Sequence, residues 1–179
     1  MEKTKFEKMR SEEFYDFTSE ECLASYFRAK HLCAKLQTMT VDDDDYRKTI
    51  EELIPGIPES SMVAPPFHCD HGHGIKLGEN VFINYNGTML DGGIITIGSN
   101  TQIGPNCQFL TPNHPIDYVE RRKPMSFSSA IFTIRAIIWS FMIEVFMLYS
   151  NHAPLRDTWF LVSWISIQLS DLTSPVWRS

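Results

Sequence analysis

His114 lies in the segment Leu110-Thr111-Pro112-Asn113-His114-Pro115, where it could act as a general base. An imidazole is neutral and basic near pH 7, so it can take a proton from a hydroxyl that is otherwise a poor nucleophile. Pro115 restrains the backbone directly after the histidine. A histidine before proline in a loop can equally be a solvated side chain without a chemical role, so the residue type alone leaves both interpretations open.

Three histidines and a cysteine follow one another closely at His68, Cys69, His71 and His73. Three imidazoles and a thiolate could fill the four positions of a zinc ion. In an extended chain, however, Cys69 and Asp70 point to opposite faces, and the spacing is too dense for one tetrahedral site. No distant residue supplies a clear fourth ligand. We therefore expect no bound metal.

The chain has 179 residues, of which 43% are hydrophobic and 21% charged, as is typical of a globular protein with an apolar core. Its net charge of −6 disfavours nonspecific binding to DNA or RNA, so we expect no nucleic-acid partner. The four cysteines form no Cys-x-x-Cys pair, and the first residues lack the apolar stretch of a secretory signal. We expect a cytoplasmic location with reduced thiols.

Residues 1–58 have the pattern of a helical domain. Thr18 and Glu21 have the spacing of a capping box, which predicts a helix from about residue 19 to residue 37. We interpret the four aspartates at 42–45 as a solvated turn or helix N-terminus rather than a metal site. A second helix is expected to follow, with an apolar stripe of Tyr46, Ile50, Leu53 and Ile54.

Apolar residues then recur every six positions, a period that fits neither a helix nor an alternating strand. The units begin at Leu77, Ile83 and Met89 and, after a slip of two residues, at Ile97, Ile103 and Phe109. The fifth position of each complete unit is compact, and Asn or Gly occupies turns that tolerate positive φ. This repeat predicts a triangular parallel β-helix with three hexads in each coil and about two coils within 75–110. An antiparallel sheet with Asn/Gly turns is the alternative.

Several motifs in a fixed order resemble the maltose and galactoside O-acetyltransferases, a family of hexapeptide-repeat enzymes. They are FEKMR at 6–10 with FYD at 14–16, PPFHCDHGHGI at 65–75, FINYN at 82–86 with LD at 90–91, and LTPNHP at 110–115. The resemblance covers residues 5–131. It implies a left-handed β-helix, a homotrimer with active sites between subunits, and acetyl-CoA as co-substrate without a metal. A zinc carbonic anhydrase on the same kind of solenoid, with histidines from neighbouring coils, is the less favoured alternative.

The resemblance also implies roles for individual residues. His114 corresponds to the family's general base, which activates a sugar hydroxyl for direct attack on acetyl-CoA without an acyl-enzyme. Four residues are candidates to bind the sugar or other small hydroxyl acceptor: Asp70, Asn84, Asp91 and Asp16. Asp91 precedes two glycines and could instead be a turn aspartate. The motifs assign no residue to coenzyme binding, and Gly92 stands where some relatives have a second acidic residue, which leaves the acceptor sugar open.

The resemblance ends near residue 131. Family members return to the solenoid through Ile-x-Ile-Gly and add two or three coils that form most of the coenzyme A groove. Here the sequence reads Thr133-Ile134-Arg135, and no glycine follows Gly104. The predicted fold is therefore mainly β with a helical N-terminal segment. It comprises a helical domain over 1–58, a truncated left-handed β-helix over 59–131 with a catalytic loop at 111–129, and a tail over 132–179 that is foreign to the family through a frameshift, a fusion or an insertion.

Residues 130–149 are nearly all apolar, with Arg135 and Glu144 as their only charges. The stretch could form a helix long enough to span a membrane, but each charge would cost about 2.5–3.5 kcal/mol at the bilayer centre, so membrane contact is not favoured. An apolar tail that aggregates or covers a partner surface is the alternative. Three functions stay open: an O-acetyltransferase, an inactive relic without a coenzyme groove, and a membrane-associated binding protein.

Overall fold

The computed structural model describes residues 3–11, 13–115, 117–122, 128–129, 132–134 and 144–146. Three helices precede the strands: α1 (Lys5–Arg10), α2 (Glu20–Leu36) and α3 (Tyr46–Leu53). A short helix, α4 (Tyr118–Arg121), lies within the predicted catalytic loop. No helix in the described part of the chain is both long and apolar enough to cross a membrane.

The start of α2 differs from the prediction of a cap at Thr18. Ser19 is the N-cap residue and makes no capping hydrogen bond with its side chain. The Thr18 hydroxyl and N–H instead donate to the carboxylate of Asp16, so the prediction was wrong because a turn aspartate takes the hydroxyl. A capping box is present on α1, between Thr4 and Glu7.

The acidic run at 42–45 leads directly into α3, of which Asp45 is the N-cap residue. All four aspartates are exposed. Carboxylates at this end of a helix complement its dipole, which confirms the interpretation of the run as a helix N-terminus.

Three parallel sheets form the sides of a solenoid. The first contains β1 (Met62–Val63), β4 (Phe82–Ile83) and β7 (Gln102–Ile103). The second contains β2 (Phe67–Cys69), β5 (Gly87–Leu90), β8 (Gln108–Leu110) and β12 (Glu144–Phe146). The third contains β3 (Ile75–Leu77), β6 (Ile95–Ile97) and β11 (Phe132–Ile134). The antiparallel pair β9 (Pro112–Asn113) and β10 (Ser128–Ser129) lies apart from these sheets.

Neighbouring coils pair in a register of twenty residues, because Met62 lies opposite Phe82 and Phe82 opposite Gln102. Three hexads alone would give eighteen, so the expected coil length was too short. The two extra residues fall between the second and third sheets in both coils, at 70–74 and 91–94. The slip in the repeat is therefore a recurring insertion that widens one corner of the solenoid.

Inward-facing residues stack in columns along the solenoid. One column contains Val63, Ile83 and Ile103, and another contains Cys69, Met89 and Phe109; all six are buried. The fourth positions of the hexads, Asn80, Asn86, Asn100 and Asn106, have φ between 56° and 62°. Their side chains form ladders between coils at 3.2 Å, Asn80 to Asn100 and Asn86 to Asn106. Asparagine suits these turns because it tolerates the left-handed region.

The helices cover the first coil. Leu36, Ile50 and Leu53 share one buried cluster with Val63 and Phe67 of the solenoid. This packing shields the apolar residues of the first coil from water, as burial of a solenoid end requires.

Two strands continue the solenoid beyond residue 131. Thr133 pairs with Thr96 of the third sheet, and Val145 pairs with Phe109 of the second. The stretch 130–149, considered above as a helix, is therefore extended where it is described, at 132–134 and 144–146. The rest of the predicted tail lies outside the described residues.

Candidate active site

The widened corner between the second and third sheets contains two of the predicted site residues, Asp70 and Asp91, and the loop of His114 begins beside it. Parallel pairing places β2, β5 and β8 in successive coils of one sheet, so the segments that follow them occupy successive levels of this corner. Asp70 follows β2, Asp91 follows β5, and the loop that carries His114 follows β8. We call this region the wide corner, defined as residues 70–74 and 91–94.

Asp91 lies inside the wide corner and is 0% exposed. Its carboxylate accepts the N–H groups of His71 at 2.8 Å, Gly74 at 2.9 Å and Asp70 at 3.2 Å. Burial raises the pKa of Asp91, and the hydrogen bonds from the backbone together with Arg10 act in the opposite direction. In this geometry Asp91, from the second coil, holds the first-coil segment in place by accepting three of its N–H groups.

Arg10 of α1 binds the same corner from outside. Its Nη1 faces the carbonyl oxygens of Asp91, Gly92 and Gly93, the last two at 3.0 Å and 3.1 Å. Its Nη2 lies 3.7 Å from the carboxylate of Asp91. Burial lowers the pKa of Arg10, and Asp91 opposes this shift. A Cβ at Gly74 would clash with the guanidinium and would lie 2.8 Å from the backbone carbonyl oxygen of Asp91, so glycine is needed there.

Asp70 faces α2 rather than the interior of the solenoid. Its carboxylate lies 3.2 Å from Lys30 Nζ, which also donates to the carbonyl of Cys69 at 2.9 Å and sits 4.6 Å from the centre of the Tyr26 ring. Burial raises the pKa of Asp70, and the ammonium of Lys30 counteracts it. The side chain keeps 16% of its surface exposed, so one edge of this carboxylate can still meet a ligand.

His71 and His73 belong to the packing of the N-terminal helices. Their Nδ1 atoms lie 3.0 Å and 3.4 Å from Ser25 Oγ, and both rings meet Phe6 edge-on. Burial lowers the pKa of His71 to about 3 and that of His73 to about 4. Both imidazoles are therefore uncharged near neutral pH.

The histidine and cysteine cluster does not converge on a metal position. On β2 the side chain of Cys69 is buried whereas that of His68 is partly exposed, because neighbours on a strand point to opposite faces. Within the described part of the chain, no group of three or more His, Cys, Asp or Glu side chains could hold a metal ion.

Asp16 occupies the turn before α2. Its carboxylate accepts the hydroxyl and the N–H of Thr18, the latter at 2.9 Å, and the hydroxyl is the main cause of a lowered pKa of Asp16. The next residue, Phe17, packs edge-on against His71, with ring centres 6.3 Å apart. This contact attaches the turn of Asp16 to the wide corner.

Asn84 lies at a different corner of the solenoid. It follows β4, at the corner between the first and second sheets, and its side-chain oxygen accepts the N–H of Tyr85 at 2.8 Å. The length of β5 separates this corner from the wide corner of the same coil. One chain therefore brings Asp70 and Asp91 together in the wide corner and places Asn84 apart from them.

His114 directly follows β9 and is exposed. Pairing of β9 with β10 closes the base of the catalytic loop, since Asn113 lies opposite Ser128. An exposed imidazole on the loop that follows this corner is suited to receive a proton from a bound hydroxyl.

Three cations that hold the corner were not identified from the sequence. Arg10, Arg28 and Lys30 all donate to backbone carbonyls of the solenoid. The only sequence signal is that they interrupt the buried faces of α1 and α2, and charges on helices are more often solvated. Partners as far as 83 residues away cannot be assigned from helical spacing.

Comparison with known proteins supports the assignment of the fold. No protein-family model matches the sequence. The chain is 31% identical over 123 residues to Nodulation protein L of Rhizobium meliloti (strain 1021), covering 68% of this chain and 67% of that protein. The chain spans 50% of the length of a putative acetyltransferase of Saccharomyces cerevisiae and 69% of one of Schizosaccharomyces pombe.

Two solved structures have similar folds. A hexapeptide-repeat-containing acetyltransferase from Vibrio cholerae O1 biovar eltor, complexed with acetyl coenzyme A, is 33% identical, with a TM-score of 0.59 over 70% of this chain and 68% of that one. A maltose O-acetyltransferase from Clostridium difficile 630 is 28% identical, with a TM-score of 0.68 over 72% and 69%. The coil geometry, the ordered motifs and these relatives together show that the chain belongs to the hexapeptide-repeat acetyltransferases, the family of the maltose and galactoside O-acetyltransferases.

Proposed function

We propose that this chain transfers the acetyl group of acetyl-CoA to a sugar hydroxyl, with His114 as general base. The observation that carries the proposal is that His114 is exposed on the loop that follows β8, beside the wide corner. His71 and His73, with pKa values of about 3 and 4, are too weakly basic for this task at neutral pH.

The reaction is a direct transfer. The imidazole of His114 takes the hydroxyl proton while the oxygen forms a bond to the acetyl carbon. The bond from that carbon to sulfur breaks, and the departing thiolate of coenzyme A takes the proton back from the imidazolium. All four cysteines are buried, so no accessible thiol offers itself as an acyl carrier.

We assign binding of the acceptor sugar to Asp70, Asp16 and Asn84, whose polar atoms can hydrogen-bond sugar hydroxyls. The carboxylate of Asp91 is fully buried, so it does not contact the acceptor. Asp91 affects acceptor binding by holding the backbone of the wide corner in place. The cytoplasm, where acetyl-CoA is available, is the proposed location.

The test is release of coenzyme A thiol from acetyl-CoA with a panel of sugars. We expect His114→Ala to lower kcat by about 10²–10⁴-fold, the usual contribution of a general base. His31→Ala, which removes an exposed imidazole of α2, is the matched control. Turnover by His114→Ala equal to that of the control would contradict the role of His114.

We also propose a homotrimer in which the left-handed coils bring Asn84 of one subunit to the wide corner of another. The separation of Asn84 from Asp70 within one chain supports a shared site. Light scattering should give the mass of three chains. Mixing inactive Asn84→Ala and His114→Ala subunits before refolding should restore part of the activity if the site is shared, whereas a site within one chain predicts no recovery.

The second candidate is an inactive relic that retains the acceptor pocket. The departure of the sequence from the family motifs after residue 131 favours it, because the coils that follow this point are the ones expected to bind coenzyme A. Titration of the folded chain with coenzyme A separates the two: binding supports the enzyme, and its absence supports the relic. If the chain were instead a membrane-associated binding protein, it would sediment with the membranes when cells are fractionated.

A further inference from the structure

Two residues outside the proposed acceptor set connect helix α1 to the loop of His114. We propose that Arg10 and Thr111 are positioning residues that fix the catalytic loop on the wide corner. The inference rests on the proposed function, since it concerns the residues that orient its general base.

Thr111 is the first residue of the loop, and its side chain is tied to the preceding coil. The hydroxyl accepts the N–H of Gly93 at 2.7 Å and donates to the carbonyl of Leu90 at 2.7 Å. The backbone N–H of Thr111 donates to the same carbonyl at 3.1 Å. Thr111 is 2% exposed, so water cannot replace these partners without opening the corner.

Arg10 holds the other side of the same peptide segment. Gly93 gives its N–H to Thr111 and its carbonyl oxygen to Arg10 at 3.1 Å. Arg10 also faces the carbonyls of Asp91 and Gly92 and the carboxylate of Asp91. A planar guanidinium can address several acceptors at once, whereas a lysine ammonium concentrates its charge at one point.

The connection to His114 is short. Pro112 and Asn113 form β9, which is paired on β10, and His114 follows at once. A displacement of Thr111 is therefore passed to the imidazole with little opportunity for relaxation. Because misplacement of a catalytic group by about 1 Å can cost on the order of 100-fold in rate, the anchor is expected to affect kcat.

The decisive variant is Thr111→Val, which keeps the shape and removes the hydroxyl. We expect kcat to fall by about 10- to 100-fold with little change in the KM for acetyl-CoA, and Thr111→Ser to restore most of the activity. Thr101→Val is the matched control, because Thr101 is 1% exposed and its hydroxyl donates to the carbonyl of Gly98 at 2.6 Å, away from the loop.

A second readout does not depend on activity. Arg121 and Arg122 are exposed in the loop and are tryptic sites. Cleavage there under native conditions should be several-fold faster in Thr111→Val than in Thr101→Val, since loosening the base of a loop favours local opening.

The outcomes distinguish failure of the positioning role from failure of the proposed function. Equal kcat and equal cleavage in the two valine variants would overturn the positioning role. Absence of turnover in the unsubstituted protein would contradict the proposed function, while the cleavage comparison would still decide the anchoring. If circular dichroism shows that Thr111→Val is unfolded, Arg10→Lys serves in its place with the same two readouts and the same criteria.

Discussion

The three histidines in and beside the wide corner have two kinds of environment. His114 is exposed on a loop, whereas His71 and His73 are packed against Ser25 and Phe6, and burial lowers their pKa values to about 3 and 4. The sequence alone gives the same residue type in each case. Burial, and not residue identity, determines which imidazole can serve as a base near neutral pH.

The buried His71 predicts a pH dependence of stability. Its pKa is about 3 in the fold and near 6.5 in the unfolded chain, so the unfolded state takes up a proton between these values. The contribution of His71 to the free energy of unfolding should therefore fall as the pH is lowered from 6.5, by up to about 1.4 kcal/mol for each unit. His73, whose pKa burial lowers to about 4, adds a loss of the same sign. Urea unfolding at pH 6.5, 5.5 and 4.5 measures this slope.

His71→Asn tests the origin of the slope, because an amide can still reach Ser25 but does not titrate in this range. We expect a smaller loss of stability toward low pH than in the unsubstituted protein. His31→Asn removes an exposed imidazole and is the control. A slope in His71→Asn as steep as in the unsubstituted protein would assign the dependence to other groups.

Candidate site residues could be predicted from the sequence only where they belong to a contiguous motif. The loop around His114 is contiguous in sequence, and so is the turn of Asp91. The partners of these residues are not. Lys30 beside Asp70 and Arg10 beside Asp91 come from helices, and their role depends on packing that no periodicity encodes.

At the scale of elements, the hexad pattern predicted the parallel solenoid because the spacing of inward residues is a direct consequence of coil geometry. The corners were harder to predict. The insertion of two residues at 70–74 and 91–94 keeps the columns in register, since it recurs in both coils. The sequence shows this insertion clearly only once among the hexads, so its presence in every coil could not be predicted.

Gly72 of the wide corner packs against the end of α3. We therefore expect substitution by alanine to destabilise the protein more at Gly72 than at Gly56. Gly72 and Gly56 have φ of 77° and 80°, but a Cβ at Gly72 would lie 2.1 Å from the carbonyl oxygen of Leu53, whereas Gly56 has nothing within 4 Å. Gly56→Ala should cost about 1–2 kcal/mol from backbone strain alone. Gly72→Ala should cost about 2–5 kcal/mol, because α3 must also move.

Thermal and urea unfolding of both variants provide the measurement. The two sites share their backbone conformation, so the difference between them reports the contact between α3 and the corner. Equal destabilisation of the two variants would show that this contact does not constrain the packing.

At the scale of the whole molecule, the helical layer and the solenoid are joined by more than apolar packing. Arg28 donates to the carbonyls of Glu52 and His71, both at 2.6 Å, and so connects α2, α3 and the first coil. Lys30 and Arg10 make corresponding contacts with Cys69 and Gly92. Half-buried donors paired with carbonyls on both sides of a boundary favour cooperative unfolding, since opening the boundary breaks several hydrogen bonds at once.

Arg28→Met tests this cooperativity, because methionine retains the apolar stem but removes both donors. We expect the free energy of unfolding to fall by about 2–4 kcal/mol, with helix and solenoid unfolding together. Circular dichroism at 222 nm should follow the helices, and amide hydrogen exchange in 62–110 the solenoid. Lys48→Met, at an exposed position of α3, is the control. Loss of the helical signal at a urea concentration that leaves 62–110 protected would show two independent units, and the cations would then hold the corner without coupling the folding of the two layers.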